Sequence, residues 1–391
     1  MCGVRYRAEG WLSGKVSATL EGLTIGIMAL TWHHAVMWAI GFTLIYLAVK
    51  KGYEPLLLIP IGFGAIMANI PLSGAIGEGG PLTLLLRVGV LTELFPILIF
   101  VGVGAMCDFS PLLRNPEVML IGAAAQVGIF ATIVAASLLR FPLTQAVAIG
   151  ILGTADGPTT IYVASLYAPE ILAPLALAAY SYMALTPLIM PPVIRLLTTP
   201  TERRIRMVYT SGPEVSRTAR LLFPLCVALV AGLIAPVAVP LVGFLMLGNF
   251  LRECGVAERL SHSAQNELIN VVTLLLGLTI GGSMTGDTFL NWVTLGVMAL
   301  GLAAMVFATA GGIIVAKFLN MLRSNKINPM IGAAGISAFP MAGRVVAKMA
   351  FAEDKQNYLL MHAVAVNISG QLCSIVAGVV VIAVIKSILG F

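Results

Sequence analysis

The sequence predicts an all-α polytopic membrane protein, with about ten transmembrane helices and two re-entrant broken hairpins arranged as two inverted, transporter-like repeats. Three observations predict it. Of 391 residues, 59% are hydrophobic and 10% charged, with a mean hydropathy of +0.98, whereas an ordinary soluble domain carries about 25% charged residues. Apolar segments of membrane length recur along the chain, and 40 glycines and 21 prolines suit close helix contacts and interrupted helices. The two halves also echo each other at an offset of about 180 residues, the weak internal symmetry of transporters.

The N-terminal segment, 1–32, lacks the apolar core of a signal peptide. Within it, residues 17–31 suit an interfacial helix or a tail without fixed structure, and the sequence leaves both open. The first repeat, 33–198, holds apolar segments at 34–49, 55–72, 91–107, 118–139 and 171–197, plus a stretch at 143–168 that glycine and proline break into a hairpin. A polar loop, 199–220, follows with Arg203, Arg204, Arg206, Arg217 and Arg220, and the positive-inside rule places it in the cytoplasm. The second repeat, 221–391, holds segments at 221–235, 237–250, 268–286, 292–318 and 358–390, with a second broken hairpin at 328–349. If each segment crosses once, Lys50–Lys51, Arg252, Arg259, Lys317, Arg323 and Lys326 also fall on the cytoplasmic side. An odd number of crossings per half makes the second half an upside-down copy of the first.

Three echoes support the repeat. Gly62-Phe63 leading to Asn69 matches Gly243-Phe244 leading to Asn249, and the segment end at Asp108 matches that around Asp287. In the broken stretches, Gly150, Gly153 and Pro158 match Gly332, Gly335 and Pro340 in spacing. Hairpins of an inverted repeat enter from opposite faces and meet near the midplane, where half-helix ends and freed carbonyls face a ligand.

Composition excludes several other classes. The net charge of +6 needs no nucleic-acid partner, because positive-inside loops account for it. The cysteines, Cys2, Cys107, Cys226, Cys254 and Cys373, form no CxxC or Cys/His arrangement, so they support neither a disulfide frame nor a metal site. His33–His34 read as interfacial, and Arg87 with Glu93 as a structural pair at a span edge.

The strongest functional signal is GTADGPTT, residues 153–160. An ionised Asp156 at the centre of a spanning helix costs roughly 2.5–3.5 kcal/mol. Gly157 and Pro158 stop regular helix directly after it. Irregular backbone at membrane depth is tolerated only where protein or a polar cavity covers it, so an acid at such a break reads as a substrate or ion site. The competing reading is a buried acid with a packing role. Small hard cations favour oxygen ligands, and a proton would compete with the cation for the carboxylate. The second hairpin has Ala338 where the first has Asp156, so the scaffold is duplicated and the carboxylate is not.

The motifs GTADGPTTIYVASLYAPE, AAYSYMALTPLIMPPVIRLLTTPTERRIRM and INPMIGAAGISAFPMAGRVVAK resemble the β subunits of the sodium-pumping biotin-dependent decarboxylases, which serve oxaloacetate, methylmalonyl-CoA, glutaconyl-CoA and malonate. The resemblance runs from about residue 34 to the end and includes PLLLIPIGFGAIMANIPL and IFVGVGAMCDFSPLL. It implies a membrane carboxybiotin decarboxylase that couples CO2 release and proton consumption to sodium export. It also implies a biotin carrier and carboxyltransferase α-type partner, a small γ-type membrane subunit, homo-oligomers, and a multi-pass location in a bacterial or archaeal cell (inner) membrane. Carboxybiotin would be presented by the partner and not held covalently here. Moving one charge against 100 mV costs about 2.3 kcal/mol, a load that a decarboxylation can drive.

The resemblance implies roles residue by residue. Asp156 matches an essential intramembrane aspartate, a sodium ligand or proton relay; Tyr182 matches a functional tyrosine. Asn328, Gly332, Ser337 and Arg344 match a second functional region, and Asn367 an asparagine near the first ion site. Sodium would thus lie at Asp156, Asn367 and Ser337, with Asn328 and Gly332 also toward the cation, and Asp156, Tyr182 and Arg344 as catalytic groups. Arg344 and Lys348 would meet the carboxylated cofactor. From the residues alone, other roles stay open. Ser337 and Asn328 suit helix caps, Asn367 interhelical glue, Tyr182 a core aromatic, and Arg344 and Lys348 snorkelling cations. The chain departs from the family with HAVAVN in place of HAMGPN: Ala365 and Val366 replace Gly and Pro, which predicts a straighter helix there. Thr154 stands where Gly is commoner, and the segment after Pro71 is shorter than in some relatives.

The rival reading from the residues is a sodium-coupled secondary transporter of an organic anion with no bond chemistry. A third, a structural anchor for soluble subunits, would not need an acid at a helix break.

Overall fold

The computed structural model describes residues 25–114, 117–154, 156–207, 214–234, 236 and 239–389. Most of the N-terminal segment, and with it most of the expected interfacial helix or tail, lies outside them. All regular structure among the described residues is helical. The first half contributes α1 (Trp32–Lys51), α2 (Pro55–Ala68), α3 (Pro81–Leu85, extended by a π turn, Leu86–Val90), α4 (Leu94–Met106), α5 (Glu117–Leu138), α6 (Leu143–Ile151), α7 (Gly157–Tyr167) and α8 (Leu172–Leu197). The second contributes α9 (Arg217–Ile234), α10 (Val239–Glu253), α11 (Glu258–Ser283), α12 (Trp292–Leu322), α13 (Met330–Ala333), α14 (Met341–Glu353) and α15 (Leu360–Leu389).

Local chemistry sets many of these boundaries. The Thr31 N–H meets His34 Nδ1 at 3.0 Å at the start of α1, and Gly52, with φ of 67°, closes its end. Prolines occupy the first turns of α2, α3 and α7, where the missing N–H breaks no helical bond. Five helices, α1, α5, α11, α12 and α15, are long and apolar enough to cross a membrane, or seven if each of two bent pairs counts as one span. α2 has 14 residues and α10 has 15, so each alone rises only about 21–23 Å.

The segment before 94 differs from expectation. Residues 81–90 form an additional helix that meets α4 at 61°. Leu91–Glu93 make the corner, with Glu93 at φ 64°, and the Glu93 carboxylate lies 3.5 Å from Ser165 Oγ on α7 instead of pairing with Arg87. α15 runs unbroken through Ala365 and Val366, as the missing proline predicts.

Two helix crossings are built alike. α2 packs on α11, and α10 on α4. In each, a glycine lets backbones touch: a Cβ at Gly281 would sit 2.1 Å from the Ile61 carbonyl, and one at Gly248 2.0 Å from the Val101 carbonyl. Each crossing is also pinned by a buried asparagine. Asn69 Nδ2 donates to the Met284 carbonyl at 2.7 Å and its Oδ1 accepts from Gly286 N at 2.9 Å; Asn249 Nδ2 donates to the Cys107 carbonyl at 2.9 Å. These asparagines are the ones whose contexts echo in the sequence. Around them, α5, α8, α12 and α15 pack together and enclose the breaks between α6 and α7 and between α13 and α14.

Gly248→Val should force α10 from α4, since overpacking costs about 1–3 kcal/mol. A lower unfolding temperature of the detergent-purified protein is expected, and an unchanged one would contradict this contact.

Candidate functional site

The first break is short. α6 ends in a single 3-10 turn, Leu152–Thr154, and α7 restarts at Gly157. Asp156 stands at the N-cap, where an acceptor satisfies a first-turn N–H. Its Oδ1 accepts from Thr159 N at 3.1 Å, and its other oxygen faces α15. There Ser374 Oγ donates to Asp156 Oδ2 at 2.6 Å and Gln371 Nε2 at 3.4 Å. The residue is 2% exposed, and among the described residues it makes no ion pair. Its hydrogen-bond donors among the described residues are all neutral.

The second break is longer, with residues 334–340 non-helical between α13 and α14. Its tip meets the first. Ser337 N donates to the Thr154 carbonyl at 2.7 Å, so each broken backbone supplies a partner for the other. The Thr154 hydroxyl returns to the Ile151 carbonyl at 3.3 Å, which satisfies the buried side chain within the break. α15 ties down the second tip as well: Asn367 Nδ2 donates to the Ile336 carbonyl at 2.7 Å, and Ser337 Oγ to the Gly370 carbonyl at 3.4 Å. Asn367, Gln371 and Ser374 follow helical spacing on one face of α15.

Buried oxygens around this junction lack hydrogen-bond partners: Asn367 Oδ1, Gln126 Oε1 and the Tyr180 hydroxyl. Gln126 Nε2 reaches the same Gly370 carbonyl at 3.4 Å, and Tyr180 packs on Gly157. Buried polar atoms are nearly always paired in folded proteins. Orphaned oxygens beside a carboxylate form a donor set suited to a small hard cation.

A cavity of about 310 Å³ opens from this junction. Asp156, Ser337, Gln371 and Tyr180 line its buried part, and Glu54 and Arg344 line it where α14 is exposed. Glu54, at the turn into α2, has φ of 33°. Burial pushes its carboxyl above the usual range, and Arg344 partly offsets this. The two do not form an ion pair, so Arg344 keeps its guanidinium available to an incoming anion.

The structure thus brings together Asp156, Ser337, Asn367 and Arg344, and leaves the other candidates elsewhere. Lys348 lies one turn beyond Arg344 on the exposed face of α14, outside the cavity lining. The Tyr182 hydroxyl donates to the Met298 carbonyl on α12, while its neighbour Tyr180 lines the cavity. Gly332 makes a backbone contact with α12, where a Cβ would lie 2.1 Å from the Gly312 carbonyl. Asn328 is not the N-cap of α13, which falls on Pro329; its Oδ1 makes a local turn by accepting from Met330 N at 3.1 Å, and its amide binds the Arg203 and Ile205 carbonyls. Sequence reasoning missed Gln371, Ser374, Tyr180 and Glu54. The polar face of α15 was a signal for the first two; nothing local marks Glu54.

The profile of one protein family, the Na+-transporting oxaloacetate decarboxylase beta subunit, matches residues 33–385. The chain belongs to this family. This β subunit is 43% identical to the probable oxaloacetate decarboxylase beta chain of Pasteurella multocida, over 96% of its own length and 99% of that protein's. It is 46% identical to the glutaconyl-CoA decarboxylase subunit beta of Acidaminococcus fermentans, covering 92% and 95%, and 45% identical to the methylmalonyl-CoA decarboxylase subunit beta of Veillonella parvula, covering 93% and 96%. As a subunit of a sodium-transporting decarboxylase it is part of an enzyme, and the reading as a plain anion transporter is set aside.

Ser374→Ala removes the shortest side-chain bond to Asp156. Hydrogen bonds to charged groups contribute about 1.5–3 kcal/mol, so half-saturating sodium in the decarboxylation assay should rise roughly tenfold or more. An unchanged sodium dependence would remove Ser374 from the site.

Proposed function

We propose that this β subunit splits carboxybiotin presented by a carrier subunit and exports sodium, with Asp156 as the group that exchanges sodium for a proton. One observation carries the reading: a buried carboxylate, held by neutral donors at the meeting of two helix breaks, shares a cavity with an exposed arginine. The relatives' names supply the sodium and the decarboxylation.

In this scheme Arg344 binds the carboxylate of carboxybiotin at the exposed part of the cavity, with Lys348 adding positive charge nearby. The bond from the ring nitrogen to the carboxyl carbon breaks, CO2 leaves, and the electron pair stays on nitrogen. That nitrogen takes a proton, which in this scheme Asp156 relays. Asp156, with Asn367 and Ser337, holds sodium in the alternate state; the asparagine oxygen is already buried and unpartnered. Tyr182, Asn328 and Gly332 act by fixing α8 and the second hairpin.

We further infer about ten crossings in two inverted repeats, 33–198 and 221–391, with the broken hairpins entering from opposite faces. The paired construction of the α2–α11 and α4–α10 crossings supports this reading. Arg203–Glu353, Arg206–Asp354, Lys317–Glu202 and Arg323–Glu117 form ion pairs that we assign to the cytoplasmic face of a bacterial or archaeal cell membrane. A carrier and carboxyltransferase subunit, a small γ-type subunit and further copies of the chain complete the proposed assembly.

Reconstitution in vesicles with carboxybiotin-loaded carrier should give sodium uptake; carboxybiotin splitting without uptake would sink the coupling. Asp156→Asn should abolish sodium-stimulated decarboxylation, and a preserved sodium response would contradict its role. Glu54→Gln probes the cavity's other acid; the charged groups lining the cavity are Glu54, Asp156 and Arg344, beside Tyr180. An ionised Glu54 competes with the substrate carboxylate for Arg344. As pH falls through its raised pKa the competition is lost, so the KM for carboxybiotin should fall. In Glu54→Gln it should be low across that range, and a wild-type-like pH dependence of KM would contradict the competition.

A further inference from the structure

Away from the cavity, four hydrogen bonds join two asparagine amides to two carbonyls. Asn328 Nδ2 lies 2.9 Å from both the Arg203 and Ile205 carbonyl oxygens. Asn357 Nδ2 lies 3.1 and 3.2 Å from the same two oxygens. An amide NH2 has two hydrogens and a carbonyl oxygen two lone pairs, so the two donors and two acceptors saturate one another. Both asparagines are buried, at 0% and 1% exposure. They flank the second hairpin, one just before α13 and the other just after α14.

The carbonyls belong to the segment that follows α8, and further contacts fasten this segment to the second half. Arg203 Nε meets Glu353 at 2.8 Å at the end of α14, and its Nη1 returns to the Thr198 carbonyl at 2.6 Å. Arg206 pairs in two-pronged fashion with Asp354, at 2.6 and 3.2 Å. Lys317, near the end of α12, meets Glu202 at 3.1 Å. The exposed ion pairs contribute little, whereas the buried amide bonds are costly to break.

We propose that Asn357 and Asn328 are positioning residues that clasp both ends of the second hairpin to the Arg203–Ile205 carbonyls and thereby set how tightly its tip holds sodium. Neither asparagine touches the ion. Ile336 and Ser337 carry the hydrogen bonds from the hairpin tip to the Asp156 junction, so a shift at its base moves those atoms relative to Thr154 and Asn367. Asn328 therefore acts on the ion site through the backbone and not as a ligand. The proposal rests on the reading of the junction as the sodium site.

The test uses the intact complex and measures half-saturating sodium and maximal rate separately, beside unfolding temperature. Asn357→Asp keeps the shape but sets a carboxylate against two carbonyl oxygens. Half-saturating sodium should rise about tenfold or more, with the maximal rate at saturating sodium changed far less. Asn357→Ser, which keeps one donor, should fall between and serves if the aspartate variant does not assemble. Arg206→Cys with Asp354→Cys, joined by a short thiol cross-linker in an Asn357→Ala background, should return sodium dependence toward wild type; failure to do so would overturn the clasp. A lower unfolding temperature or maximal rate with unmoved half-saturating sodium would also overturn it, because that outcome is only structural. A wild-type complex without sodium dependence would overturn the functional reading and the clasp together; a sodium-dependent wild type with an unmoved Asn357 variant overturns the clasp alone.

Discussion

A backbone broken inside an apolar bundle exposes N–H and C=O groups that water cannot reach, and each must find a partner in the protein. Here the two breaks answer this need jointly. The bond from Ser337 N to the Thr154 carbonyl joins one tip to the other, and the polar face of α15 takes up groups from both. The rest of the architecture holds that junction. α5, α8, α12 and α15 pack around it, and the glycine contacts bring their backbones close enough for short side chains to reach. A larger side chain at Gly332 or Gly370 would separate elements that must touch.

The electrostatics follow from the same arrangement. Among the described residues Asp156 has three neutral donors and no ion-pair partner; in the proposed function its charge is balanced by the ion that arrives and leaves. A fixed arginine at that position would pair permanently with the carboxylate and exclude a cation. The arginine is instead at the exposed part of the cavity, on α14, where it interacts electrostatically with Glu54. In the proposed function one cavity thus separates the site for an anion from the site for a cation. Ala338 occupies the position of the second break that matches Asp156 in sequence spacing, so only one of the two tips carries a carboxylate.

Much of this was legible in the sequence for definite reasons. Gly157 and Pro158 announce a break by backbone chemistry alone, and an acid beside them in an apolar run has few structural uses. Gly335 and Pro340 announce the second break in the same way. The additional helix at 81–90 was not legible, because its short apolar run is interrupted by glycine and by the Leu91–Glu93 corner. Asn328 shows the limit of local reasoning: Pro329 marked a helix start, but the N-cap falls on Pro329 itself, and the partners of the Asn328 amide lie more than a hundred residues away. Glu54 and Arg344 likewise meet only through the fold. Ser374 and Gln371 were readable in principle, as polar residues at helical spacing with Asn367, but such residues also serve as interhelical glue.

The central claim is that sodium and a proton exchange at Asp156. It is tested most directly by adding sodium to the purified, weakly buffered β subunit and recording proton release. The account predicts release that saturates with sodium, is absent with potassium at equal ionic strength, and disappears in Asp156→Asn. Equal release from the wild type and the Asp156→Asn variant would contradict it.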